Sequence, residues 1–299
     1  MIHNHEVPSS ILGPATTIKS RNINVCGFFH YNEIMIITVI QPDTKWCKPE
    51  DNIREAESAI ARNSGSDLYV LPEMWGTGFI TKPKEELRAL QKSGALAEIV
   101  EWMKQKAHDT NAAICGSLAT EENGLWYNRM HFVKPDGEVT TYDKSHLFTF
   151  GGEGFEYNAG TRRVIVEWRG VRILLQICYD MRFPMWCRNV ITPQKRPSYD
   201  MIIYSTNWPV ARELAYKTLS VARAIENQCF VVACNRVGTD EWGEYFGESA
   251  IIHPYGHFIT KADRDKVCEI TGEIDMDALN RYRAKFPTLD DIVWTNEYY

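Results

Sequence analysis

The sequence predicts an α/β fold, and three observations carry that prediction. From Met35 onward, short β-branched runs alternate with amphipathic stretches of helical length, the order expected of partly parallel sheets with helices packed on them. Runs such as Leu68-Tyr69-Val70-Leu71 and Met201-Ile202-Ile203-Tyr204 are apolar on both faces, as in strands covered from two sides. No internal repeat, low-complexity tract or linker divides the chain after Met35, so one large domain suits the 299 residues better than two.

The elements follow in order. Residues 1–34 are polar and aperiodic; they read as an N-terminal extension, either an ordered arm over a subunit or sheet edge or a stretch ahead of a native start at Met35. Met35–Ile40 is the first strand. Pro49 to Asn63 predicts an amphipathic helix with Ile53, Ala56, Ile60 and Ala61 on one side, and it leads into the strand Leu68–Leu71. Glu85 to Ala107 reads as one or two helices and Ala112–Leu118 as a strand. Strands around Trp126–Val133, Glu138–Tyr142 and Val164–Trp168 come next, the first two separated by the turn Lys134-Pro135-Asp136-Gly137. Val171–Ile177 and Met201–Tyr204 are further strands, followed by a long helix from Ala211 to Asn227 and the strand Phe230–Ala233. Two late strands, Ser249–Ile252 and His257–Thr260, flank the turn Pro254-Tyr255-Gly256.

Composition narrows the function. Hydrophobic residues at 44% and charged residues at 24% are ordinary for a globular protein, and no apolar run approaches the ~20 residues of a transmembrane helix. A net charge of −6 without a basic cluster argues against nucleic acid and anionic membrane as partners and favours small molecules. Eight cysteines are spread irregularly from Cys26 to Cys268, with no CxxC and no Cys/His set at zinc-ligand spacing. No metal or organic cofactor is expected. Cys115, Cys229 and Cys234 lie in apolar runs where a thiol packs as a small hydrophobe, which fits a reducing compartment. The first residues lack a basic stretch followed by an apolar one, so a cytoplasmic location is expected.

Three segments share one design. Val171–Ile177 delivers Cys178 to the polar turn Tyr179-Asp180-Met181-Arg182-Phe183-Pro184, Leu68–Leu71 delivers Glu73, and Glu138–Tyr142 delivers Lys144. A thiol at the start of a helical turn is favoured as thiolate, and the Tyr179 backbone N–H could hold an oxyanion. A carboxylate against apolar walls is a usable base near neutral pH, and a dry Lys144 would stabilise negative charge. Each residue also has a plain structural reading taken singly. The rival nucleophile pair is Cys–His, but His146, the histidine beside Lys144, reads as support for that loop, and His253 and His257 as turn residues.

Leu71-Pro72-Glu73, Tyr142-Asp143-Lys144 and Cys178 to Pro184 together resemble, in order and spacing, the three signature segments of the nitrilase superfamily of carbon–nitrogen hydrolases. The resemblance runs from about Met35 to about Asp275, which makes 35–275 the hydrolase domain and 276–299 a C-terminal helix and tail. It implies a four-layer α-β-β-α sandwich, a Glu73–Lys144–Cys178 triad, a supporting Glu153, and a homodimer or larger homo-oligomer. Glu73 to Phe79, Asn207-Trp208-Pro209, Ala222 to Gln228, Cys234 to Gly238 and Tyr282 to Pro287 are further similar to the bacterial ω-amidase, or 2-oxoglutaramate amidase, branch. That branch implies hydrolysis of the ω-amide of α-keto acids. The same triad would serve an N-carbamoyl amino acid amidohydrolase, an aliphatic amidase or a nitrilase, since pocket walls choose the substrate; a catalytically silent metabolite-binding protein is the alternative of another class. A keto acid carboxylate needs a cation. Arg212 is the first candidate, with Arg182, read as a brace of the nucleophile turn, and Arg236 as competitors; Phe79, Asn207 and Trp208 are expected at the pocket walls.

Overall fold

Side chains alternate between the two faces of a strand, so strands that are apolar on both need cover on both. The computed structural model of the chain describes residues 34–293; the expected extension, apart from Ile34, lies outside the described residues. The first half runs β1 (Ile34–Gln41), α1 (Pro49–Arg62), β2 (Leu68–Val70), α2 (Glu85–Ser93), α3 (Ala95–Thr110), β3 (Ala113–Glu122), β4 (Leu125–Val133) and β5 (Val139–Asp143). The second half runs β6 (Ile165–Trp168), β7 (Val171–Ile177), α4 (Pro184–Cys187), β8 (Met201–Ser205), α5 (Glu213–Glu226), β9 (Phe230–Cys234), β10 (Val237–Asp240), β11 (Gly243–Phe246), β12 (Ala250–Ile252), β13 (Phe258–Lys261), β14 (Cys268–Asp275) and α6 (Met276–Lys285).

Two six-stranded sheets result, in the orders β14-β1-β2-β3-β4-β5 and β13-β12-β9-β8-β7-β6. The neighbours β1-β2-β3 and β7-β8-β9 are parallel, and the helical crossovers between parallel strands supply the outer layers. One apolar cluster joins Ile37, Val70, Cys115 and Phe132 of the first sheet to Leu175, Ile202 and Val232 of the second, and to Tyr216 of α5 and Leu279 of α6. Tyr69, Leu71 and Ile114, on the other face of the first sheet, pack with Ala56 and Ile60 of α1, Leu87 of α2 and Ile99 and Met103 of α3. The layers are therefore helices, sheet, sheet, helices. Each fully buried aliphatic side chain contributes about 1.5–3 kcal/mol, so packing from both sides, rather than the pairing of three residues, holds β2 in place.

The predicted strands and helices form, with adjustments. Residues 85–110 split into two helices because Gly94 takes φ 89°, a left-handed conformation that ends α2. The helix expected from Ala211 begins at Glu213, after a 3-10 turn at Val210–Arg212. The hairpin β10–β11 and the strand β14 were not expected. β14 pairs antiparallel with β1 at the sheet edge, and its charged residues and Gly272 hide the alternation that a half-buried strand would show.

Candidate active site

The three chemically distinctive side chains arrive from strand ends in both sheets. Glu73 follows β2, Lys144 follows β5 and Cys178 follows β7. Hydrogen bonds across the sheets fix the meeting point: Ser205 Oγ donates to Leu71 O at 2.7 Å, Asn207 Nδ2 donates to Glu73 O at 2.7 Å, and Glu73 N–H donates to Thr206 O at 3.4 Å. Gly160 closes the Lys144 loop by giving its N–H to Lys144 O at 2.9 Å. A Cβ there would lie 2.1 Å from Asp143 O, so no larger residue fits.

Cys178 opens a 3-10 turn that ends at Arg182, and its φ is 43°. For a non-glycine residue this costs about 1–3 kcal/mol and persists only where the surroundings over-determine it. They do. The buried Asp180 carboxylate accepts from Ile177 N–H at 3.0 Å, His146 N–H at 3.0 Å and Tyr142 Oη at 2.8 Å, while Arg223 of α5 donates to Met181 O at 2.6 Å. His146 is held at 2.8 Å by Asp180 and stacked on Phe183 with ring centroids 3.8 Å apart. It serves the loop, and the Cys–His alternative has no geometric support.

Glu73, Lys144 and Glu153 are all fully buried. Lys144 Nζ donates to Glu73 Oε1 and to Glu153 Oε2, both at 2.8 Å, and Glu153 Oε2 also accepts from Phe148 N–H at 2.6 Å. Asn128 Nδ2 bridges the carboxylates, 2.8 Å from Glu73 Oε1 and 2.9 Å from Glu153 Oε1. Glu73 Oε2 has no partner among the described residues.

Burial raises the pKa of Glu73, and Glu153 adds to the rise while Lys144 opposes it. Burial works against the charge of Lys144, but Glu153, Glu73 and Cys178 outweigh it and keep the ammonium protonated. Burial and then the Glu73 carboxylate push the Cys178 thiol well up, against the opposing pull of Lys144 and of the Asn207 backbone N–H. This corrects the expectation of a resting thiolate: a five-residue 3-10 turn offers little dipole, and a dry site beside a carboxylate favours the neutral thiol.

Cys178, 8% exposed, lines a narrow cavity at the meeting point of these loops. Phe79, Asn207, Trp208 and Arg212 line it, and so do Tyr179 and Arg182. The Arg182 guanidinium lies 4.7 Å from the centre of the Trp208 ring and that of Arg212 4.9 Å from Phe148. Arg236 is elsewhere: 1% exposed, it pairs with Asp240 at 3.1 Å and Asp43 at 3.5 Å and packs on Tyr245. Tyr179 packs its ring against Phe148 and Phe183, and its N–H belongs to the first turn, where no carbonyl of the same helix can reach it. Polar atoms of cavity-lining residues without a partner among the described residues include Asn207 Oδ1, Trp208 Nε1 and Trp242 Nε1.

Sequence reasoning missed Asn128, Phe148, Trp242 and Tyr245. Asn128 did leave a signal, a polar side chain at the buried register of β4 between Trp126 and Met130. Trp242 and Tyr245 belong to the unexpected hairpin, which reaches the cavity through a bridge between Tyr245 and Pro209.

Comparison with known proteins agrees with this geometry. The carbon-nitrogen hydrolase family model matches residues 36–284. The omega-amidase YafV of Escherichia coli is 43% identical over 256 residues, covering 85% of this chain and 95% of that protein. A 2-oxoglutaramate amidase of Bacillus subtilis is 36% identical over 259 residues, 86% of this chain and 96% of that protein. Among solved structures, a CN-hydrolase superfamily protein of Xanthomonas campestris, which carries an arsenic adduct in its active site, superposes with a TM-score of 0.79 at 36% identity, covering 88% of this chain and 98% of that one. Fold, convergent side chains and relatives agree that the chain belongs to the carbon–nitrogen hydrolase family.

Proposed function

We propose that this hydrolase is an ω-amidase that releases ammonia from the terminal amide of α-keto acids such as 2-oxoglutaramate or 2-oxosuccinamate. One observation carries the chemistry: Glu73 Oε1 is held by two donors while Oε2 stays unpartnered beside a buried neutral thiol. The names of the relatives, and two guanidinium groups at the cavity, those of Arg182 and Arg212, without a carboxylate partner among the described residues, support the keto acid.

The cycle starts with transfer of the Cys178 proton to Glu73 Oε2 as sulfur attacks the amide carbonyl. The oxyanion is taken by the Tyr179 N–H and by the third ammonium hydrogen of Lys144, the other two being engaged by Glu73 and Glu153. Glu73 returns the proton to nitrogen, ammonia leaves and a thioester remains. Water then gives a proton to Glu73 and its oxygen to the acyl carbon; collapse of the intermediate releases the acid, and the proton goes back to sulfur. Glu153 keeps Lys144 charged and placed. No step needs a metal or redox partner.

Seven free cysteines among the described residues support work in a reducing compartment such as the cytoplasm, and the family resemblance supports a homo-oligomer. The test is ammonia release from 2-oxoglutaramate, 2-oxosuccinamate, glutamine, an N-carbamoyl amino acid, an aliphatic amide and a nitrile. Preference for the two keto acid amides is expected; turnover of the N-carbamoyl compound or nitrile in their place would reject the ω-amidase reading but keep the triad.

A further inference from the structure

Asn128 occupies an unusual place: one side-chain nitrogen gives its two hydrogens to two different buried carboxylates, Glu73 Oε1 at 2.8 Å and Glu153 Oε1 at 2.9 Å. Its amide has a single workable orientation. Ser117 Oγ accepts the Met74 N–H at 2.9 Å, so its one hydrogen is free to go to Asn128 Oδ1, 2.9 Å away. Reversing the amide would set Asn128 oxygen against two carboxylate oxygens and leave the Ser117 hydrogen without an acceptor. Ser117 on β3 lies opposite Met130 and Asn128 on β4 opposite Ala119, so the two are diagonal neighbours on adjacent strands, and both are fully buried. The relay also starts next to the base, since Met74 directly follows Glu73 in the chain and itself holds φ 47°.

We propose that Asn128, oriented by Ser117, is a positioning residue that occupies Glu73 Oε1 and thereby reserves Oε2 for the Cys178 proton. This deepens the reading of Glu73 as the base and rests on it. Two donors on one oxygen fix the rotation of the carboxylate and leave the other oxygen open to the neighbouring thiol. The same bonds favour the ionised base, because a donor stabilises the charged form of an acceptor. The other ionisable groups acting on Glu73 are Lys144, Glu153, Cys178, Tyr157 and Tyr245. Among the described residues, Lys144 and the uncharged Asn128 each donate a hydrogen to Glu73 Oε1 at 2.8 Å.

The test follows the rate at which iodoacetamide alkylates Cys178, resolved by peptide mass, as a function of pH, with kcat and KM measured beside it. The acid limb of the alkylation profile reports ionisation of Glu73, and Glu73→Gln, which should abolish that limb, is the control. In Asn128→Leu the limb is expected to move to higher pH, with kcat falling ~10²-fold, the scale of proton-transfer catalysis, while KM stays within about threefold of its starting value. Ser117→Ala should move the limb the same way by less, and the double variant should behave as Asn128→Leu alone because Ser117 acts through Asn128. Should Asn128→Leu fail to fold, Ser117→Ala decides by itself. An unmoved limb in the variants that fold, or additive losses in the double variant, would overturn the proposal. Alkylation needs no substrate, so a wild-type protein that alkylates normally but hydrolyses no keto acid amide would reject the ω-amidase reading alone.

Discussion

Tyr142 donates its hydroxyl to Asp180 Oδ2 at 2.8 Å, and this bond joins the strand that leads to Lys144 to the turn that presents Cys178. The two residues are 38 positions apart, Tyr142 on β5 of the first sheet and Asp180 in the turn that follows β7 of the second. Tyr142 Oη also accepts Trp186 Nε1–H at 3.1 Å. Removing it with Tyr142→Phe leaves Asp180 short of a donor and the Trp186 indole N–H without its acceptor. A loss of about 1–3 kcal/mol is expected, the scale for a buried hydrogen bond to a charged group, read from the urea midpoint. Turnover should fall as well, because the strained φ of Cys178 depends on Asp180; unchanged kcat would separate the bond from catalysis.

Cys178→Ala should abolish ammonia release, and prior alkylation of wild type should do the same. Glu73→Gln and Lys144→Ala should each lower kcat by hundreds-fold or more, in keeping with the ~3–4 kcal/mol that one fixed donor or base supplies. Lys144→Ala also strands Glu73 and Glu153 in a dry site, at a cost of ~3–5 kcal/mol, so it should unfold at lower urea. Near-wild-type turnover in Cys178→Ala would refute the covalent cycle.

The pH dependence of kcat/KM follows from Glu73. Burial raises its pKa, so the base is still protonated at a pH where a solvated glutamate is ionised. Activity is present above that raised value and is lost as pH falls through it, placing the acid limb above the usual carboxylate range around 4.3. A limb at or below that range, measured on free enzyme, would assign the base elsewhere.

Arg212 is the expected partner of the substrate carboxylate. Comparing a keto acid amide with its methyl ester should show wild type favouring the acid and Arg212→Ala losing that preference, with KM for the acid up by ~10-fold or more. Arg182 lines the same cavity. Preference kept in Arg212→Ala but lost in Arg182→Ala would move the role to Arg182.

His131 on β4 predicts a separate effect on stability. Burial, with Arg129 nearby, depresses its pKa from 6.5 to about 4. The unfolded chain then binds a proton that the folded one refuses, so this contribution is intact above 6.5 and is lost as pH falls toward 4. The loss is on the order of 3 kcal/mol across that window. Urea midpoints should fall with acidity in wild type and flatten in His131→Gln; parallel curves for the two proteins would remove His131 as the cause.

Much of the site was legible because its residues sit where periodicity is plain. Glu73, Lys144 and Cys178 each end a β-branched or apolar run, and such runs announce strands whatever they pair with. Arg236 was open as a candidate because its segment also follows a strand, β9; only the fold shows it spent on Asp43 and Asp240. Trp242 and Tyr245 were missed because β10 and β11 are four residues each, too short for alternation to register.

Local order along the chain by itself determined the α/β class, the strand ends and the residue types delivered there, since hydrophobic period and turn chemistry act over a few neighbouring residues. The protonation states and the shape of the pocket were decided only when the two sheets closed. Desolvation and charge coupling depend on what surrounds a group in space. Hence a thiol expected as thiolate is held neutral beside Glu73, and an asparagine in mid-strand comes to bridge two buried carboxylates.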